Sequence, residues 1–136
     1  RMFTLTRGTP EKKLVSAAEI EEIFVPAARG ELNVLPGHAP LMTTLGTGVL
    51  RYRLKGDSKL VHVAISWGYC QVNPEGVNIL AETAERPDEI DVARAEATMK
   101  AAEARMTTEA SPDELEKYKN KIARAVVRKE VGGLTH

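Results

Sequence analysis

The apolar positions from residue 2 to residue 86 follow a strand pattern. Strict alternation is visible in Phe3-Thr4-Leu5-Thr6 and in Leu60-Val61-His62-Val63-Ala64-Ile65. Further β-rich runs cover Ile20 to Val25, Leu32 to Leu35, Val49 to Leu54, Tyr69 to Val72 and Val77 to Ala81. Turn signals separate them: Thr9-Pro10, Arg29-Gly30, Pro36-Gly37, Gly46-Thr47-Gly48, Gly56-Asp57 and Asn73-Pro74-Glu75-Gly76. Many short strands at close spacing, divided by Gly and Pro, predict an antiparallel sandwich or barrel. No helix-length periodic segment interrupts them, which argues against a βαβ arrangement.

Beyond Arg86 the pattern changes to a helical one, and no glycine occurs before Gly132. Pro87-Asp88 predicts a helix start, with Asp88, Glu89 and Asp91 in a first turn where the helix dipole favours negative charge. Ile90, Ala93, Ala97, Ala101 and Ala104 then recur at spacings of three and four, predicting a narrow alanine face that buries little area. Ser111-Pro112-Asp113-Glu114 predicts a second helix start: Ser111 as cap, Pro112 at the first helical position, Glu114 completing a capping box. Leu115, Tyr118, Ile122 and Ala125 form its apolar face, and Gly132-Gly133 is the expected stop. The link near Thr107 to Ala110 is short, so the helices are expected to fold back antiparallel. The predicted fold is α+β, a β-sandwich over residues 2–86 and a two-helix hairpin over residues 87–136. Short helices joined by a thin seam are marginal in water, so the hairpin is expected to lean on the sandwich or a partner, or come loose.

Composition narrows the function. The 136 residues are 43% apolar, enough for a real core, and carry 19 acidic and 19 basic side chains. That balance gives no electrostatic case for nucleic acid as the main partner. No apolar run approaches the ~20 residues of a membrane helix. There is also no signal-peptide pattern, so a soluble protein is expected. Cys70 is the single cysteine, which rules out an internal disulfide or a cysteine-built zinc site. His38, His62 and His136 show no ligand spacing. There is no P-loop, no G-x-S-x-G elbow and no H-E-x-x-H. Charge is nevertheless segregated. Nine acids face three bases from Asp88 to Glu116, whereas Lys117 to Lys129 holds six bases and no acid. Lys117, Lys121, Arg124 and Arg128 fall on one helical stripe, either a solvated face or a docking surface for an acidic partner.

One segment carries a specific resemblance. Gly30-Glu31-Leu32-Asn33-Val34-Leu35-Pro36-Gly37-His38-Ala39-Pro40-Leu41 departs only at Asn33 from G-E-L-G-V-L-P-G-H-A-P-L, a signature of ATP synthase epsilon subunits. Ile90-Asp91-Val92-Ala93-Arg94-Ala95 is similar to that family's I-D-x-x-R-A motif at the start of its hairpin. Thr9-Pro10, Gly48-Val49-Leu50-Arg51 and Val77 to Glu85 extend the likeness in order along the chain. Two departures stand out: Asn33, which tolerates positive φ where the family has glycine, and Trp67, whose ring must pack somewhere.

The resemblance implies a non-catalytic rotor subunit in the central stalk of a proton-driven, bacterial-type F-type ATP synthase. It would be peripheral, on the cytoplasmic face of the inner (plasma) membrane. The expected partners are the gamma subunit, the c-ring and, transiently through the hairpin, the catalytic beta subunit. Glu31, Gly37 and His38 match positions at the c-ring contact, although His38 is equally read as satisfying a local turn. The hairpin is expected to inhibit ATP hydrolysis, with the basic stripe meeting beta. No cofactor is required, but some members bind regulatory ATP with Mg. The matching positions are Glu85, Ile90, Asp91, Arg94, Ala95, Arg124 and Arg128. A further arginine of those members falls on Ala101, so one phosphate partner is missing, and Asp91 with Arg94 equally reads as a helix-start acid and its neighbouring base. Two other classes compete: an adaptor module with a coiled-coil tail, and an enzyme using Cys70 with a histidine. The first lacks an aromatic cluster, and the second is weakened by the strand position of Cys70.

Overall fold

The structure, a computed structural model, describes residues 3–9 and 13–135. Residue 2, where the expected sandwich begins, and Pro10 and His136 lie outside them. The chain divides into two compact units between Ala84 and Glu85.

The first unit holds seven strands: β1 (Thr4–Gly8), β2 (Lys13–Ala27), β3 (Gly30–Val34), β4 (Leu41–Leu45), β5 (Gly48–Leu54), β6 (Val61–Asn73) and β7 (Gly76–Glu85, whose last residue opens the second unit). They run in the order β1-β7-β6-β4-β2-β3, with β5 pairing β2 and β6 and with β1 also pairing β2. The resolved ladders are antiparallel except β1–β7, which is parallel. The expected antiparallel sandwich is present, with this one parallel pair added.

Inward positions alternate with outward ones, and Leu5, Ile23, Val25, Val34, Leu50 and Val63 are fully enclosed in the core. Each such side chain contributes about 1.5–3 kcal/mol of burial. β6 joins two runs that the sequence separates. Its first half pairs with β5 (Val61 to Ile65) and its second with β4 (Gly68 to Val72). The corner between them is Trp67-Gly68, at φ 48° and 151°. A Cβ on Gly68 would meet the Leu80 carbonyl oxygen at 1.9 Å, so glycine is required there. Trp67 has a Cβ and still adopts the left-handed region, a genuine outlier for a bulky residue. Asn33 does not need the tolerance assigned to it. It lies in extended β3 opposite Phe24, and the turn uses Gly30 (φ 127°) instead. Arg7 is 2% exposed on the inner side of β1, and its Nε and Nη1 have no hydrogen-bond partner among the described residues.

The second unit begins with a 3-10 turn, Pro87–Glu89, followed by α1 (Val92–Arg105) and α2 (Pro112–Gly132). Asp88 and Glu89 therefore precede α1, and Asp91 caps it by accepting the Arg94 N–H at 3.0 Å. The alanine face was expected on Ala93, Ala97, Ala101 and Ala104. Those residues are exposed, and the inward stripe is buried Ala95 and Ala102 with half-buried Val92, Met99 and Met106. It carries one alanine-sized column and three larger side chains, so turning it inward removes more apolar area from water. In α2, Leu115, Tyr118, Ile122 and Ala125 do turn inward. The capping box is formed: Ser111 Oγ accepts from Glu114 N–H, and Glu114 Oε1 accepts from Ser111 N–H, both at 3.1 Å. The latter bond, followed by the Ser111 hydroxyl, holds the Glu114 carboxyl below its usual range.

Gly132 does not stop α2. It is helical, and Gly133 caps the helix in the right-handed region before a last 3-10 turn. The glycine serves packing: a Cβ there would lie 2.6 Å from Val92 Cγ2 and 2.9 Å from Ile90 Cγ2. Lys129 pairs with Glu96, and Tyr118 shares a cleft with Ala101 and Ala104, so the helices are antiparallel.

Candidate functional site

The signature segment comprises β3 and the loop into β4. Glu31 stands on edge strand β3, and both its oxygens accept from Arg51 Nη2 of β5 at 2.8 Å. Arg51 also lies 4.3 Å from the Phe24 ring centroid, so stacking fixes the cation and the cation fixes Glu31. The Glu31 side chain keeps 50% of its exposure. Past Leu35, the Gly37 N–H donates to the Pro74 carbonyl at 3.2 Å, tying this loop to the β6–β7 turn. Gly37 sits at φ 85°, and the His38 N–H donates to the Leu35 carbonyl. The ring of half-buried His38 donates from Nδ1 to the Ala39 carbonyl at 2.7 Å. The turn-satisfying reading of His38 is thus met by its Nδ1.

The two outer sheet surfaces differ in chemistry. Around β5 and β2, ion pairs cover the strands: Arg51–Glu31, Arg53–Glu22 at 2.5 Å, Arg53–Glu21 and Lys55–Glu19. On β4 and β6, Met42 lies opposite Gln71 and Thr44 opposite Tyr69. All four are exposed and uncharged, Met42 at 64% and Tyr69 at 48%. Exposed Trp67 sits at the adjoining corner. Interface centres show this composition, rich in aromatics and Met and poor in charge.

In the second unit, a cleft of ≈390 Å³ opens where α1 begins beside the last turns of α2. Glu85, Glu89, Ile90, Asp91, Arg94, Ala95, Thr98 and Arg128 line it. Six of the seven residues singled out from the sequence converge there. Arg124 does not line it and is half-buried elsewhere on α2. Arg128 Nε donates to Glu85 Oε1 at 2.5 Å. Asp91 is engaged as the α1 cap, so its role in the local fold is met whatever else it does. Sequence reasoning missed Glu89 and Thr98, although Thr98 follows Arg94 by four and necessarily shares its helix face. Ala101 lines a different cleft of ≈590 Å³ near the inter-helix turn. Of the basic stripe, Lys117 is exposed while Lys121, Arg124 and Arg128 are half-buried.

Elsewhere, burial pushes the fully enclosed Cys70 thiol up to about 12, which suits packing and not nucleophilic work. Among the described residues there is no group of side chains able to hold a metal ion, and no helix long and apolar enough to cross a membrane.

A β-sandwich followed by a helical pair, with the G-E-L-x-V-L-P-G-H loop on one edge, defines a class. Residues 2–87 match the family described as the ATP synthase, Delta/Epsilon chain, beta-sandwich domain. An ATP synthase epsilon chain of Bdellovibrio bacteriovorus is 52% identical over 110 residues, covering 81% of this chain and 79% of that one. One from Geobacter sulfurreducens is 44% identical over 127 residues, covering 92% and 89%. A chain in the cryo-EM structure of the Euglena gracilis mitochondrial ATP synthase, showing OSCP, F1 and c-ring, superposes with a TM-score of 0.83 at 20% identity. It covers 99% of this chain and 82% of that one. The chain belongs to the ATP synthase epsilon family, and is a subunit of that complex that is not itself catalytic.

Proposed function

We propose that the chain is a rotor part of a proton-driven synthase, peripheral on the cytoplasmic face of a bacterial inner membrane. The sandwich grips the gamma subunit and rests on the c-ring, passing torque from ring to catalytic head. The helical unit acts as a brake on ATP hydrolysis. The observation that supports this best is the contrast between the two sheet surfaces, one covered by ion pairs and one bare of charge. Gamma takes the uncharged surface, with Tyr69 and Met42 at its centre. The c-ring takes the signature loop, where Gly37 sets the turn and Glu31 and His38 present a carboxylate and an imidazole to polar loops. Lys117, Lys121, Arg124 and Arg128 serve an acidic stretch of the beta subunit when the helices extend. In the folded state, the cleft around Arg94 and Arg128 receives the phosphates of MgATP, and backbone near Ile90 and Ala95 borders the base.

The test is binding of gamma to the Tyr69→Lys variant. A charge at the centre of a desolvated interface costs roughly 2 kcal/mol or more, so affinity falls at least about thirtyfold. Because Tyr69 is exposed, the thermal midpoint stays put. Undiminished binding, measured by interferometry against the intact gamma subunit, removes this surface from the account.

A further inference from the structure

Strand β6 changes phase at one place. Successive side chains of a strand point to opposite faces, so a straight strand keeps one parity inside. In the first half of β6 the odd-numbered Val63 and Ile65 enter the core cluster, and in the second half the even-numbered Cys70 and Val72 do. The parity switches across Trp67-Gly68, where φ is 48° and 151°. Without that switch, Trp67, Tyr69 and Gln71 would follow Val63 and Ile65 inward. With it, all three are exposed, Trp67 at 42% and Tyr69 at 48%. The corner thereby creates the uncharged surface that Met42 and Thr44 complete from β4.

The fold alone does not ask for an indole at this corner. Glycine makes a turn at positive φ with least strain, and the close approach to the Leu80 carbonyl is already met by Gly68. A bulky side chain at φ 48° is held against its own backbone preference, and strain of this kind gathers at binding sites. Trp67 is also the single tryptophan of the chain, and tryptophan is the residue type most enriched among interface hot spots. We infer that Trp67 is the anchor by which the gamma subunit recognises this chain: its indole enters an apolar pocket of the partner, and Tyr69 and Met42 cover the ground beside it. This rests on the reading of the β4–β6 surface as the one that gamma takes. The corner holds the ring outward before contact, so little side-chain freedom is lost on docking. The partner chemistry that fits is concave and apolar, because neither Trp67 nor its exposed neighbours Tyr69, Met42, Thr44 and Gln71 bring a charge.

The test uses the full chain and the intact gamma subunit. Trp67→Ala removes the ring and keeps the corner, since Ala17 adopts φ 51° in the same fold. Its affinity for gamma is expected to fall about thirtyfold or more, the scale of a truncated hot spot. A second measurement reads the ring in the unaltered sequence. With 5-hydroxytryptophan incorporated into this chain, excitation beyond the absorption of ordinary tryptophan reports Trp67 alone. Quenching of that emission by acrylamide is expected to fall severalfold when gamma is added. Undiminished binding by Trp67→Ala, with binding by Tyr69→Lys weakened, overturns the anchor and leaves the surface standing. Undiminished binding by both variants overturns anchor and surface together. Quenching that gamma leaves unchanged also overturns the anchor, and it does so even where Trp67→Ala fails to fold.

Discussion

Cys70 shows how a single buried group ties the fold to solution conditions. It lies in β6 opposite Thr43, fully enclosed, and its thiol is pushed up to about 12 from 9.0 by loss of water. The folded chain keeps this proton while the unfolded chain releases it above pH 9. Stability from this group is therefore intact below pH 9 and lost progressively as pH climbs from there toward 12. The slope is about 1.4 kcal/mol per pH unit. Urea unfolding at pH 8, 9.5 and 10.5 measures it, and Cys70→Val, which titrates nothing there, flattens that part of the profile. The same enclosure predicts that alkylation of native protein at pH 8 follows the rate of opening. Arg7 is the opposite case, a charge in the interior whose Nε and Nη1 lack partners among the described residues. Nothing in the alternation of Phe3 to Thr6 announces it, because the strand pattern carries on through a residue whose long stem packs as an apolar one.

One contact between the two helices is titratable. The hydrogen bond from Lys129, ahead of the pull of Lys100, holds the Glu96 carboxyl below its usual range of about 4.5. Its folded value is depressed, so its contribution is present above pH 4.5 and lost as pH falls through the folded value. Amides of residues 92–102 are expected to exchange faster at pH 3.5 than at pH 6, after correction for intrinsic rates. Glu96→Gln should remove most of that difference, and a difference that persists in the variant assigns the acid effect elsewhere. The helical pair also shows which parts of the fold are legible in sequence. The capping box at Ser111, the turns and the alternating strands follow local rules and were read correctly. The buried face of α1 was not, because alanines at 93, 97, 101 and 104 form as regular a column as Ala95 and Ala102. Only the larger Val92, Met99 and Met106 decide between them, and only once a second helix is present. β4 escaped because Met42-Thr43-Thr44-Leu45 alternates poorly, its outward face being uncharged instead of polar-charged. The cleft was partly readable, since Asp91, Arg94 and Ala95 share a motif. Arg128 reaches it through the antiparallel return of α2, whereas Arg124, one turn earlier, does not.

The division between Ala84 and Glu85 lets one experiment separate the two proposed tasks. Among the described residues, the core cluster of the first unit is drawn from Phe3 and from the strands, and it holds no residue beyond Ala84. A chain ending at Arg86 therefore keeps every described residue of the enclosed cluster. It is expected to melt cooperatively, with gamma binding at full strength because Met42, Tyr69 and the signature loop are all kept. If the helical unit is the brake, enzyme reconstituted with this truncation assembles normally, and its ATP hydrolysis rises severalfold while proton-driven synthesis persists. The magnitude follows from population. A brake engaged in most molecules at rest suppresses turnover by the fraction engaged, so a resting population of about 80–90% engaged gives a five- to tenfold release. Unchanged hydrolysis in a fully assembled complex would strip the hairpin of that task and leave the sandwich's role intact. Loss of assembly instead would mean that gamma reads the helices as well, and that the uncharged surface of β4 and β6 is not sufficient.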